Sequence, residues 1–170
     1  PKAREMLTAW LREPDGGLNS LFDELLAARD GKPHPAPMRG LFSHAEMHGA
    51  LAGAADWMKK SKLAADRHGL PMLAYEGGQH LVAAPGDNNE KLMQLLIAAN
   101  RDPRMGQAYS RMLVDWRASG GQLFMYFDHI GMPNKFGAWG LKESQSSNAD
   151  PKWLSALTYR DRIACWWPLC

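Results

Sequence analysis

Apolar residues recur at helical spacing along most of this chain, and two short apolar runs break that rhythm. Residues Ala3 to Arg12 read as a short helix, stopped by Pro14-Asp15-Gly16-Gly17. Leu18, Leu21, Phe22, Leu25 and Leu26 then share one face of a second helix, and the proline-rich segment from Gly31 to Pro37 is a loop. Ser43 and Glu46 have capping-box spacing and open a long helix to about Arg67, with Met47, Leu51, Ala54, Ala55 and Met58 as its buried stripe. Past the turn Pro85-Gly86-Asp87-Asn88, Asp87 and Glu90 form a second capping box. It introduces a helix whose face is Leu92, Leu95, Leu96 and Ala99. Asp102-Pro103 restarts or kinks that helix, because proline suits a first helical position, and Tyr109, Met112, Leu113 and Trp116 carry the stripe to Gly120-Gly121. A last short helix is predicted over Pro151 to Tyr159.

The two exceptions predict strands. Leu70-Pro-Met-Leu-Ala-Tyr75 is too short for a helix and is entered through proline. Gln122 to Phe127 is the second run, ending in Asp128-His129. Strand, long helical crossover and strand make a βαβ unit, with two parallel strands joined right-handedly. Parallel sheets place ligand chemistry at the C-terminal ends of their strands, so Glu76, at the end of the first run, is the leading functional candidate. Gly77 and Gly78, which follow it, are expected to clear space for a ligand beside the carboxylate.

Bulk composition narrows the classes without choosing among them. A length of 170 residues suits one domain with a real core, and a formal net charge of +2 with scattered basic residues argues against a nucleic-acid partner. No apolar run is long enough to span a bilayer, so no membrane partner is expected. The N-terminus lacks a signal-peptide pattern, and the start at Pro1 predicts a processed or truncated chain, which leaves the compartment unknown. Cys165 and Cys170 form no metal motif and suggest no disulfide framework.

Four segments together resemble a known family: Ala-Tyr-Glu-Gly-Gly-Gln-His at 74–80, Ala-Asn-Arg-Asp-Pro-Arg-Met at 99–105, the Gly-Gly-Gln-Leu-Phe strand, and Gly-Ala-Trp-Gly at 137–140. They look like the C-terminal part of bacterial cellulose-binding or glycoside-hydrolase-like proteins of the (β/α)8-barrel clan of retaining glycosidases. The resemblance covers roughly residues 40 to 159. It implies an α/β fold: a partial (β/α)8-barrel-like unit with few parallel strands and many amphipathic helices. Residues 1–159 would be a single α/β domain, a fragment of a larger barrel, and residues 160–170 an atypical tail. It further implies that Glu76 is the catalytic nucleophile and Trp139 the sugar platform, on a β-linked polysaccharide such as cellulose, with no cofactor and a secreted or periplasmic location. A retaining glycosidase needs a second carboxyl group about 5 Å away. The clan supplies it from an Asn-Glu pair at a strand end, and Asn89-Glu90, in a helix cap, is no substitute.

Other residues are weighed beside these. Tyr75, His80 and His129 are candidate donors to an ionised Glu76, and Gln79 with His80 candidate walls of the substrate site. Of Asp128 and His129, strand alternation lets one face inward, and His129 is favoured. His44 and His48 share a helical face and offer a metal-dependent hydrolase as an alternative, but Glu46 lies about 200° around the helix from His44, unlike the zinc-protease arrangement. A non-catalytic carbohydrate-binding module is the other alternative. The expected partner is a polysaccharide or oligosaccharide. A two-stranded parallel sheet also leaves faces and edges uncovered, which predicts self-association as a homo-oligomer.

Overall fold

The protein, seen in a computed structural model, is described over residues 2–27, 49–83 and 88–168. The order is α1 (Lys2–Trp10), α2 (Leu18–Leu26), α3 (Ala50–Arg67), β1 (Met72–Gly77), α4 (Glu90–Arg101), α5 (Pro103–Ala118), β2 (Gly121–Tyr126) and α6 (Pro151–Arg162). β1 and β2 pair in parallel, with Met72 opposite Gly121, Ala74 opposite Phe124 and Gly77 opposite Tyr126, and α4 and α5 form the crossover between them.

The expectation of a partial (β/α)8-barrel-like unit is corrected here. Among the described residues there are two parallel strands in one sheet and six helices, which is a mixed helix–strand fold and not a barrel-like unit. A barrel repeats strand after helix until the sheet closes. Here α1, α2 and α3 follow one another with no strand among the described residues between them. After β2 the chain makes only isolated bridges, Ile130 with Lys142 and Asn134 with Gly137, before α6.

The core lies between the helices and one face of the sheet. The stripes predicted for α2, α4 and α5 are the buried ones: Leu21, Phe22 and Leu25, then Leu92, Leu95, Leu96 and Ala99, then Tyr109, Met112, Leu113 and Trp116. Trp116 meets the Phe124 ring edge-on at 5.5 Å and donates its indole N–H to the Gln122 carbonyl at 2.9 Å, which seats α5 under β2. α5 opens as predicted, with Pro103 in its first turn and the Asp102 carboxylate accepting the Arg104 N–H at 2.9 Å. α4 is capped by Asn89, whose side chain accepts the Leu92 N–H. Ser43, His44, Glu46, Met47, His48 and Asp87 lie outside the described residues.

The opposite face of the sheet is open. Leu73 and Tyr75 of β1 and Leu123 and Met125 of β2 are all exposed, as alternation requires of residues pointing away from α5. α6 runs through residue 159 to Arg162, and beyond it the Trp166 indole donates to the Gly121 carbonyl at 2.7 Å. Cys165 is disulfide-bonded, against the expectation of no disulfide framework. Among the described residues no helix is long and apolar enough to cross a membrane.

Candidate functional site

Glu76, Gly77, Gly78, Gln79, His80, Phe127 and Trp139 line one cavity of about 270 Å³. It opens where the C-terminal ends of the parallel strands meet the loop after β2. Four of the sequence candidates therefore come together: Glu76, Gln79, His80 and Trp139. Glu76, the penultimate residue of β1, is exposed. The half-buried Trp139 ring sits 4.9 Å from the His80 ring and 5.9 Å from the Phe127 ring, the latter edge to face.

Tyr75 and His129 are not in this group. Tyr75 is 78% exposed on the open face of the sheet with Leu73, because neighbours along a strand point to opposite sides. His129 packs its ring 5.5 Å from Trp153 of α6. The alternation argument that favoured His129 fails because β2 ends at Tyr126 and the chain then leaves the sheet. Asp128 donates its N–H to the Trp139 carbonyl at 3.3 Å and accepts the Leu141 N–H at 2.8 Å. Phe127, still tied to β1 through its N–H to the Gly77 carbonyl at 2.9 Å, is the residue that reaches the cavity. Sequence reasoning missed it as one more apolar strand position. The signal available was its place beside the predicted strand end.

Gly77 and Gly78 do line the cavity, but the space they leave is taken first by the protein's own side chains. A Cβ at Gly77 would stand 2.4 Å from the tip of the Phe124 ring, and one at Gly78 would stand 2.9 Å from the Tyr109 hydroxyl. Gln79 is similarly engaged. Its N–H donates to the Tyr109 hydroxyl at 3.1 Å, its side-chain amide donates to the Ala138 carbonyl at 2.5 Å, and its side-chain oxygen accepts the Leu81 N–H at 2.6 Å. Gln79 thus holds the wall together more than it offers groups to a ligand.

Two ionisable groups beneath the cavity are strongly shifted. Burial pushes the Tyr109 hydroxyl up to about 12, with the Asp128 charge adding to it against the Gln79 hydrogen bond. Burial pushes Lys152 down to about 8, against the opposing pull of Asp128, Glu143 and Asp150. Behind the Gly77–Leu81 segment lies a second, larger cavity of about 440 Å³, lined mainly by Leu51, Trp57, Met58, Met105, Met112 and Phe124. Its walls are apolar, and Leu51, Ala54 and Met58 of the α3 stripe, all half-buried, line it, while Leu51 and Met58 also pack against the core.

No family model matches this chain, and no curated protein or solved structure matches it either.

Proposed function

We propose that the cavity between the end of β1 and the Trp139 loop binds a β-linked saccharide, with Trp139 as the platform and Glu76 as the principal polar contact. The observation that carries this reading is the convergence of an exposed carboxylate with two aromatic rings, Trp139 and Phe127, on one opening of about 270 Å³. Aromatic faces pack against the C–H surfaces of a sugar ring, while a carboxylate accepts hydrogen bonds from its hydroxyls. The resemblance to retaining glycosidases points to the same ligand class.

Binding is favoured over hydrolysis because retaining hydrolysis uses two carboxyl groups about 5 Å apart. Among the described lining residues Glu76 is the one carboxylate. A second reading keeps Glu76 as a nucleophile, on the ground that it stands exposed in a cavity at the C-terminal end of a parallel strand. Its carboxylate would attack the anomeric carbon of an aryl glycoside and expel the aryl oxide, and water would then release the sugar and restore Glu76. Turnover of such a substrate by the wild type, lost in Glu76→Gln, is the outcome that reading requires.

Calorimetric titration with soluble cello-oligosaccharides tests the binding reading. Wild-type protein is expected to bind, and Trp139→Ala to lose about 1–2 kcal/mol of affinity, the order of one aromatic contact. Equal affinities in the two proteins would remove Trp139 from the site, and absence of binding in the wild type would overturn the reading.

A further inference from the structure

The two walls of the cavity come from distant parts of the chain, Glu76 to His80 after β1 and Trp139 from the loop after β2. Their junction is the Ala138–Trp139 backbone. Lys152, in the first turn of α6, donates from its Nζ to the Ala138 carbonyl at 2.7 Å and to the Trp139 carbonyl at 3.3 Å. The Ala138 carbonyl also accepts the Gln79 amide, so one oxygen is held both from the Glu76–His80 wall and from α6. Lys152 is only 1% exposed, and its Nζ lies 5.7 Å from the centroid of the Tyr109 ring, whose hydroxyl accepts the Gln79 N–H.

A lysine buried to this degree is costly, and a hydrophobic residue of like volume would serve packing alone. What the ammonium adds is direction. Its hydrogen bonds are charge-assisted and fix where two successive carbonyls point, and with them the backbone that carries the Trp139 ring.

Resting on the saccharide-site reading above, we infer that Lys152 is the positioning residue of that site: it sets the Ala138–Trp139 backbone so that the Trp139 ring stays on the cavity shared with Glu76. Lys152 touches no ligand in this assignment. It acts through Trp139.

The test reads Trp139 directly and without ligand. Acrylamide quenching is measured with and without Trp139→Phe, first in otherwise wild-type protein and then in Lys152→Met, and the difference within each pair isolates the Trp139 contribution. Lys152→Met is expected to raise that contribution about twofold or more while far-UV circular dichroism is unchanged, and to weaken cello-oligosaccharide binding about tenfold. A Trp139 contribution unchanged by Lys152→Met would overturn the proposal, since anchoring of α6 alone would move the melting temperature and not this ring. A raised Trp139 contribution in Lys152→Met, together with a wild type that binds no saccharide, would uphold the positioning role and sink the saccharide reading instead.

If Lys152→Met fails to fold, the decision passes to the Trp139 contribution in otherwise wild-type protein between pH 7 and 10. The charged and titratable groups that act on Lys152 are Asp128 after β2, Glu143 and Asp150 before α6, and Tyr109 of α5. Burial shifts Lys152 into that range and Tyr109 above it. A rise in quenching with its midpoint near pH 8 is expected as the charge-assisted bonds weaken, and a flat profile would overturn the proposal.

Discussion

Gly77 occupies a position where a methyl group has nowhere to go. The Phe124 ring fills the space, and it is itself held edge-on by Trp116 and Tyr126, at 5.5 Å from each. Gly77→Ala is therefore expected to destabilise the fold by about 1–3 kcal/mol, the usual cost of overpacking, as measured by urea denaturation. A loss below a few tenths of a kcal/mol would mean that the ring yields freely. The same residue shows how far the site was legible from sequence. An acidic residue followed by two glycines marked the end of β1, because strand ends are set by local pattern. What the glycines accommodate depends on Phe124 and Tyr109, far along the chain, and no local pattern carries that. Phe127 was missed as a cavity residue for the same reason: it reads as one more strand residue until the loop after β2 is folded.

At the level of elements, the apolar stripes of α2, α4 and α5 were legible, whereas α4 takes its cap from Asn89, which the capping-box spacing did not single out. The clearest element is α5. Its cap is Asp102, whose carboxylate takes the Arg104 N–H and pairs with the Arg104 guanidinium at 2.9 Å. The Arg104 hydrogen bonds hold the Asp102 carboxyl below its usual 3.8, so this stabilisation is present above that value and is lost as pH falls through the lowered one. Asp102→Ala is expected to cost about 1 kcal/mol at neutral pH and progressively less at acid pH, in parallel denaturation series. An equal loss at every pH would assign the effect to something other than the carboxylate. The parallel strand pair was legible from two apolar runs separated by a long helical crossover. Closure into a barrel-like unit was not a property of any element here. It was carried by resemblance alone, and among the described residues the sheet has two strands.

At the scale of the whole molecule, one face of the sheet is packed and the other, with Leu73, Tyr75, Leu123 and Met125, is open. The packed side carries the unusual ionisations. Lys152 sits at about 8 against an ordinary 10.5, so between those values the unfolded chain binds the extra proton and stability rises with pH. Tyr109 sits at about 12 against an ordinary 10, so its contribution is intact below pH 10 and is lost above it. Thermal stability is therefore expected to climb by about 1–2 kcal/mol from pH 8 to 10 and then decline. Lys152→Met should lack the climb and keep the decline, and a wild type whose stability falls steadily from pH 8 would contradict this. The central claim, that the Glu76 and Trp139 cavity is where a saccharide binds, is tested most directly by 1H–15N NMR during titration with a cello-oligosaccharide. The account predicts saturable shifts at the amides of Gly77, Gly78, Gln79, His80 and Phe127 and at the Trp139 indole N–H, with the remaining indoles unmoved. Saturable shifts clustered elsewhere, with the Trp139 indole still, would contradict it.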